Sequence, residues 1–127
     1  MFANRFSRWL PAIVMMAAIF TFSSIPPEYM PNFDILDRFI KKGGHMVGYG
    51  ILALTYWFAL ENTKRSFFIA WMLAVLYATS DEFHQTFVPG RHGSAWDVLI
   101  FDNLGAVIAL LIASQYFNKK SRSPNNY

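Results

Sequence analysis

Cysteine is absent from the 127 residues, so disulfides, thiol nucleophiles and thiolate metal sites are excluded together. Charge is scarce as well. Asp, Glu, Lys and Arg make up 15% of the chain, where an ordinary soluble domain has roughly 25%. There is no His-Glu-x-x-His zinc motif, and Ser80 lacks the flanking glycines of a nucleophile elbow. What the chain has instead is apolar: 54% hydrophobic residues, 13 Phe, 6 Tyr and 4 Trp, with a mean hydropathy of +0.26. Intrinsic disorder needs the opposite composition. The net charge of +3 and pI near 9.3 would suit nucleic acid if the basic residues formed one patch. They fall instead in short groups between long apolar runs. That is a membrane pattern, so membrane lipids and not nucleic acid are the expected partners.

Four runs carry the pattern. Trp9 to Pro27 is 19 residues without an acidic or basic side chain other than histidine, Gly43 to Leu60 is 18, Ser66 to Ser80 is 15 and Asn103 to Asn118 is 16. A membrane-crossing helix takes about 17–25 residues. The first two runs suffice alone. The third crosses only if it continues through Asp81 and Glu82 to about His84, and the fourth only if it starts near Trp96 and takes in Asp102. The expected fold class is all-α: a polytopic membrane protein built as a four-transmembrane-helix bundle. It forms one domain over 1–127, with spans at about 9–25, 43–60, 66–84 and 96–117 and a polar tail at 119–127. Ser23-Ser24-Ile25-Pro26-Pro27 offers no small-x-small cleavage site, so the first span is read as retained. Gly43, Gly44, Gly48 and Gly50 predict close helix approach on the second span.

Lys and Arg set the orientation. With four spans, Arg5, Arg8, Lys64, Arg65, Lys119, Lys120 and Arg122 share one side, and Arg38, Lys41, Lys42 and Arg91 the other. The richer side is the cytoplasmic one. A multi-pass protein of the plasma membrane with both termini in the cytoplasm is expected, with the first and third loops facing outward.

The polar residues converge on that outward side. Lys42, His45 and Tyr49 differ by three and four, so they share a face of helix two. Asp81, His84 and Gln85 share a face at the end of helix three, with Glu82 turned elsewhere. Pro89-Gly90 marks a turn that carries Arg91. Helix four begins with Asp97, and Asp102 lies about 7.5 Å further in. Carboxylates at such depth are costly in lipid and point to function. The expected ligand-binding set is therefore Lys42, His45, Tyr49, Asp81, Glu82, His84, Gln85, Arg91, Asp97 and Asp102, lining a pocket at the outer leaflet. Asp81 and His84 have a ligand-like spacing that His45 could complete. The missing Cys and His-Glu-x-x-His weigh against a metal, and neither a metal nor another cofactor is expected.

In this order the residues resemble the VanZ-like family of small bacterial integral membrane proteins. The matching pieces are Phe22-Ser23-Ser24, Lys42-x-x-His45-x-x-x-Tyr49, Ser80-Asp81-Glu82-Phe83-His84-Gln85, Val88-Pro89-Gly90-Arg91, and Asp97 followed by Asp102 and Gly105, within roughly 10–112. In the family's pattern Asp97 is followed four residues later by Asn or Asp, then by Gly three after that. Here Asp102 is five residues on. Either the helix holds a one-residue bulge or Asp102 is not the equivalent position. The resemblance implies a bacterial envelope protein with a link to resistance against the glycopeptide teicoplanin. It implies no reaction and no ligand.

Two functions fit. In the first, a non-enzymatic pocket binds a lipid headgroup, a cell-wall precursor or a lipophilic glycopeptide, with Lys42 and Arg91 holding anions. In the second, an intramembrane enzyme acts on an outer-leaflet lipid or lipid-linked glycan. Its candidate catalytic residues are His45, Asp81, His84 and Asp97, a histidine acting as general base oriented by a carboxylate.

Overall fold

The computed structural model describes residues 5–25, 35–89 and 98–122, and the side chains of 5–25, 43–89 and 100–120. All regular structure among them is helical. A short α1 (Arg5–Arg8) leads into α2 (Leu10–Ser23), followed by α3 (Ile35–Ala59), α4 (Lys64–Gln85), a π-helical turn (Val98–Asp102) and α5 (Asn103–Arg122). Four long helices are the expected number. α3 starts eight residues before the apolar run at Gly43, taking in charged residues from Asp37 to Lys42. α5 carries on through Lys119 and Lys120, so the first part of the expected tail is helix.

Local chemistry sets the helix ends. Pro11 occupies the first turn of α2, where a missing N–H is no loss. α3 stops where Glu61 (φ 72°) and Asn62 (φ 57°) turn left-handed, and the Asn62 N–H donates to the Trp57 carbonyl at 3.0 Å. α4 opens on a capping box: Thr63 Oγ1 accepts from the Ser66 N–H at 3.1 Å, and Ser66 Oγ accepts from the Thr63 N–H at 2.8 Å. The tight connection makes α3 and α4 antiparallel neighbours.

Packing is inside out relative to a soluble bundle. The buried stripe of α4 reads Ser66, Ala70, Ala74, Ala78, Asp81, Gln85, while Phe68, Ile69, Met72, Leu76 and Phe83 lie exposed on the other faces. Ala12, Ala53 and Ala106 continue the small-residue interior, joined by Tyr49, Leu52, Tyr56, Trp57 and Leu110. On α2, Leu10, Ile13, Val14, Phe20 and Phe22 are exposed. Small residues inside and large apolar residues outside is the arrangement lipid favours, and continuous apolar surface of this kind is foreign to soluble monomers. Arg5–Ser23 and Ile100–Lys120 are long and apolar enough to cross a membrane, and only 11% and 22% of their apolar windows are buried within the chain. A core helix of a soluble protein would be mostly buried.

α3 and α5 approach each other closely. A Cβ on Gly105 would run into the backbone carbonyl of Met46, and one on Gly50 would lie 3.1 Å from the Gly105 carbonyl oxygen. Gly43, Gly44 and Gly48 meet nothing within 4 Å. The expected glycine contact thus belongs to Gly50, with Gly105 as its partner. Polar ties add to this packing. Trp71 Nε1 donates to Asn103 Oδ1 at 2.6 Å, and the Tyr77 hydroxyl donates to the Met16 carbonyl at 2.6 Å.

Candidate functional site

The ends of α2 and α4, part of α3 and the π turn before α5 bring polar side chains to one end of the bundle. The stripe of small residues on α4 ends in Asp81 and Gln85, both 5% exposed. The Tyr49 hydroxyl, from α3, donates to Asp81 Oδ2 at 2.7 Å. Gln85 Nε2 donates to the same oxygen at 3.3 Å and to Ser23 Oγ of α2 at 3.2 Å. A carboxylate cannot donate in return, so the Gln85 amide is oriented with its nitrogen toward Asp81. Asp81 Oδ1 is buried without a hydrogen-bond partner among the described residues.

His84 faces a different neighbour. Three residues on from Asp81 is a rotation of about −60° and four is about +40°, so Gln85 joins the buried stripe and His84 flanks it. Its ring stacks on Phe20 of α2 with centroids 4.5 Å apart, and Nε2 lies 3.0 Å from Ser24 Oγ. The Ser24 hydroxyl already donates to the Phe20 carbonyl at 2.8 Å. It has one hydrogen, so while that bond is made the proton of the shared contact comes from His84 Nε2.

A second carboxylate completes the cluster. Asp102 is 2% exposed, and its Oδ1 lies 3.4 Å from His45 Nδ1. The His45 ring is 33% exposed and stacks on Tyr49 with centroids 6.0 Å apart, so the two acid-bearing halves share a wall. Asp102 ends the π-helical turn, a helix form that holds one extra residue and recurs at functional sites. Such a turn is compatible with the bulge reading of the five-residue spacing from Asp97 to Asp102, although Asp97 itself lies outside the described residues.

Of the expected residues, His45, Tyr49, Asp81, Gln85 and Asp102 come together, with His84 beside them. Glu82 is half-buried on α4. The Lys42 side chain, Arg91 and Asp97 lie outside the described residues. Ser23 and Ser24 were absent from the expected set, although both hold its members in place. Phe22-Ser23-Ser24 had been the clue, but a hydroxyl at the end of an apolar span carries neither charge nor a periodic signal. Among the described residues, no group of three or more His, Cys, Asp or Glu could hold a metal ion.

Comparison with curated proteins and with solved structures finds no match in either. The VanZ/LLP1 family model matches residues 6–118, nearly the whole chain and every residue of the cluster. The chain belongs to the VanZ/LLP1 family.

Proposed function

We propose that this is a four-span protein of the bacterial plasma membrane with both termini in the cytoplasm. Its polar end forms an outer-leaflet pocket that binds a lipid headgroup, a cell-wall precursor or the lipid-bearing part of a glycopeptide, and so changes how teicoplanin-type drugs reach their target. The observation that carries this reading is the pairing of opposites in one small bundle. Its outside is apolar over most faces, while Ser23, Asp81, Gln85 and Asp102 are buried at one end. The two buried carboxylates among the described residues are costly unless a ligand or proton compensates them. The basic residues Arg8, Lys64, Arg65, Lys119 and Lys120 belong to the helix ends and turn opposite that cluster, which favours the cluster facing outward.

The test is expression of the chain and of its Asp81→Asn and His45→Ala variants in a bacterial host, with growth inhibition measured for teicoplanin and for a glycopeptide without a lipid tail. The reading expects tolerance to the lipid-tailed drug alone, lost in both variants, together with retention of envelope lipid by the purified protein. Equal response to both drugs and no retained lipid would sink it.

A further inference from the structure

The hydrogen-bond donors and acceptors of the polar cluster can be counted, and they do not balance. Gln85 uses both amide hydrogens, on Ser23 Oγ and Asp81 Oδ2. Tyr49 uses its hydroxyl hydrogen on the same Oδ2. Ser24 donates to the Phe20 carbonyl and accepts from His84. Around Asp81 this leaves one acceptor, Oδ1, buried and without a hydrogen-bond partner among the described residues.

Charge is short in the same direction. Asp81 and Asp102 are two buried carboxylates, and the described cation-forming group at bonding range is His45, against Asp102. That leaves Asp81, 5% exposed, with no cationic group at bonding range among the described residues. A phosphate placed at Oδ1 would be repelled by the Asp81 carboxylate itself. A hydroxyl would satisfy Oδ1 but leave the charge. A protonated amine supplies both, because each N–H donates and the group is cationic.

Resting on the headgroup reading above, we propose that Asp81 receives the primary ammonium group of an envelope lipid. Oδ1 takes a charge-assisted N–H hydrogen bond, while Tyr49 and Gln85 hold Oδ2 and fix the carboxylate plane. The one-third exposed ring of His45 marks where the cluster reaches the surface. Two sources offer this chemistry: an aminophospholipid headgroup and the free amine of a lipid-linked cell-wall peptide.

The experiment uses the full chain in phosphatidylglycerol nanodiscs doped with phosphatidylethanolamine, its N-methyl and N,N-dimethyl forms, or phosphatidylcholine. Lipid retained on the protein is read by native mass spectrometry and thermal stability. Retention should fall as methyl groups replace N–H, by on the order of tenfold from phosphatidylethanolamine to phosphatidylcholine. Asp81→Asn should abolish the gradient. A parallel arm compares a lipid-linked pentapeptide carrying a free lysine amine with its acetylated form. Stronger retention of the free amine there than of phosphatidylethanolamine assigns the source to the cell wall, and the reverse order assigns it to phospholipid. If Asp81→Asn does not fold, the methylation series on the unaltered chain decides alone. Lipid retention that ignores methylation overturns the ammonium assignment and leaves the headgroup reading standing. No selective retention in any arm overturns both.

Discussion

Tyr49 and Asp81 stand 32 positions apart in the chain and meet through one hydrogen bond of 2.7 Å. Hydrogen bonds to a charged group contribute about 1.5–3 kcal/mol, and a buried acceptor left without its donor costs a similar amount. Tyr49→Phe should therefore destabilise the protein in detergent by about 1.5–3 kcal/mol. Because the two groups touch, Tyr49→Phe and Asp81→Asn should couple by roughly 0.5–3 kcal/mol in a double-mutant cycle. Additive effects would show that the contact contributes nothing. Asp102, 2% exposed with His45 at 3.4 Å, makes a second case. Asp102→Asn keeps a polar head for its neighbours while Asp102→Leu strands them, so thermal melts should show the Leu variant as clearly the weaker. Much of this cluster was legible as spacing: four residues bring His45 and Tyr49 to one face, and four bring Asp81 and Gln85 to another. Ser23 and Ser24 were not, because their role depends on where α2 ends against α4, which no local pattern encodes.

At the scale of the element, the crossing of α3 on α5 rests on the absence of a side chain at Gly105. The atom a Cβ would strike is the Met46 backbone carbonyl, and backbone cannot rotate aside. Gly105→Ala should cost about 1–3 kcal/mol and push Asp102 away from His45, which neighbours Met46. Gly43, Gly44 and Gly48 have open space around the position of a Cβ, so Ala there should stabilise the helix by ~0.5–1 kcal/mol. Chemical denaturation of the four variants separates the two classes, and equal effects would mean that α3 and α5 can slide. The glycine-rich start of the second span did announce close packing, but not which glycine makes it. That is settled by the facing helix. The π turn was half legible: the five-residue gap allowed either a bulge or a non-equivalent Asp102, and Val98–Asp102 has a form compatible with the first. Helix boundaries were the least readable part. α3 begins at Ile35 because helix-forming charged residues extend it past the apolar run that marked its span.

For the whole molecule, the proposed sidedness of the cluster rests on the charges at the opposite end and is open to direct test. Exported reporters fused at Pro31 and Gly90 should be active, and those after Asn62 and Tyr127 inactive. An active exported reporter at Tyr127 would mean that the spans or their direction are miscounted. The number of helices was readable from run lengths alone, since four separated apolar stretches leave little choice. Which faces would be inside was not readable, because apolar residues surround α2 and α4 on most sides and the buried stripe is marked by alanine, not by leucine. That stripe reverses the usual map of mutational sensitivity. In a water-soluble protein, trimming the largest apolar side chains does the most harm. Here Phe68, Leu76 and Phe83 face outward, where, on the four-span reading, hydrocarbon would replace whatever is removed. At Ala70, Ala74 and Ala78, buried to within 1%, one added methylene has nowhere to go. A scan that cuts side chains down should pass almost unnoticed over the bulkiest positions, while a scan that enlarges them should fail at the smallest.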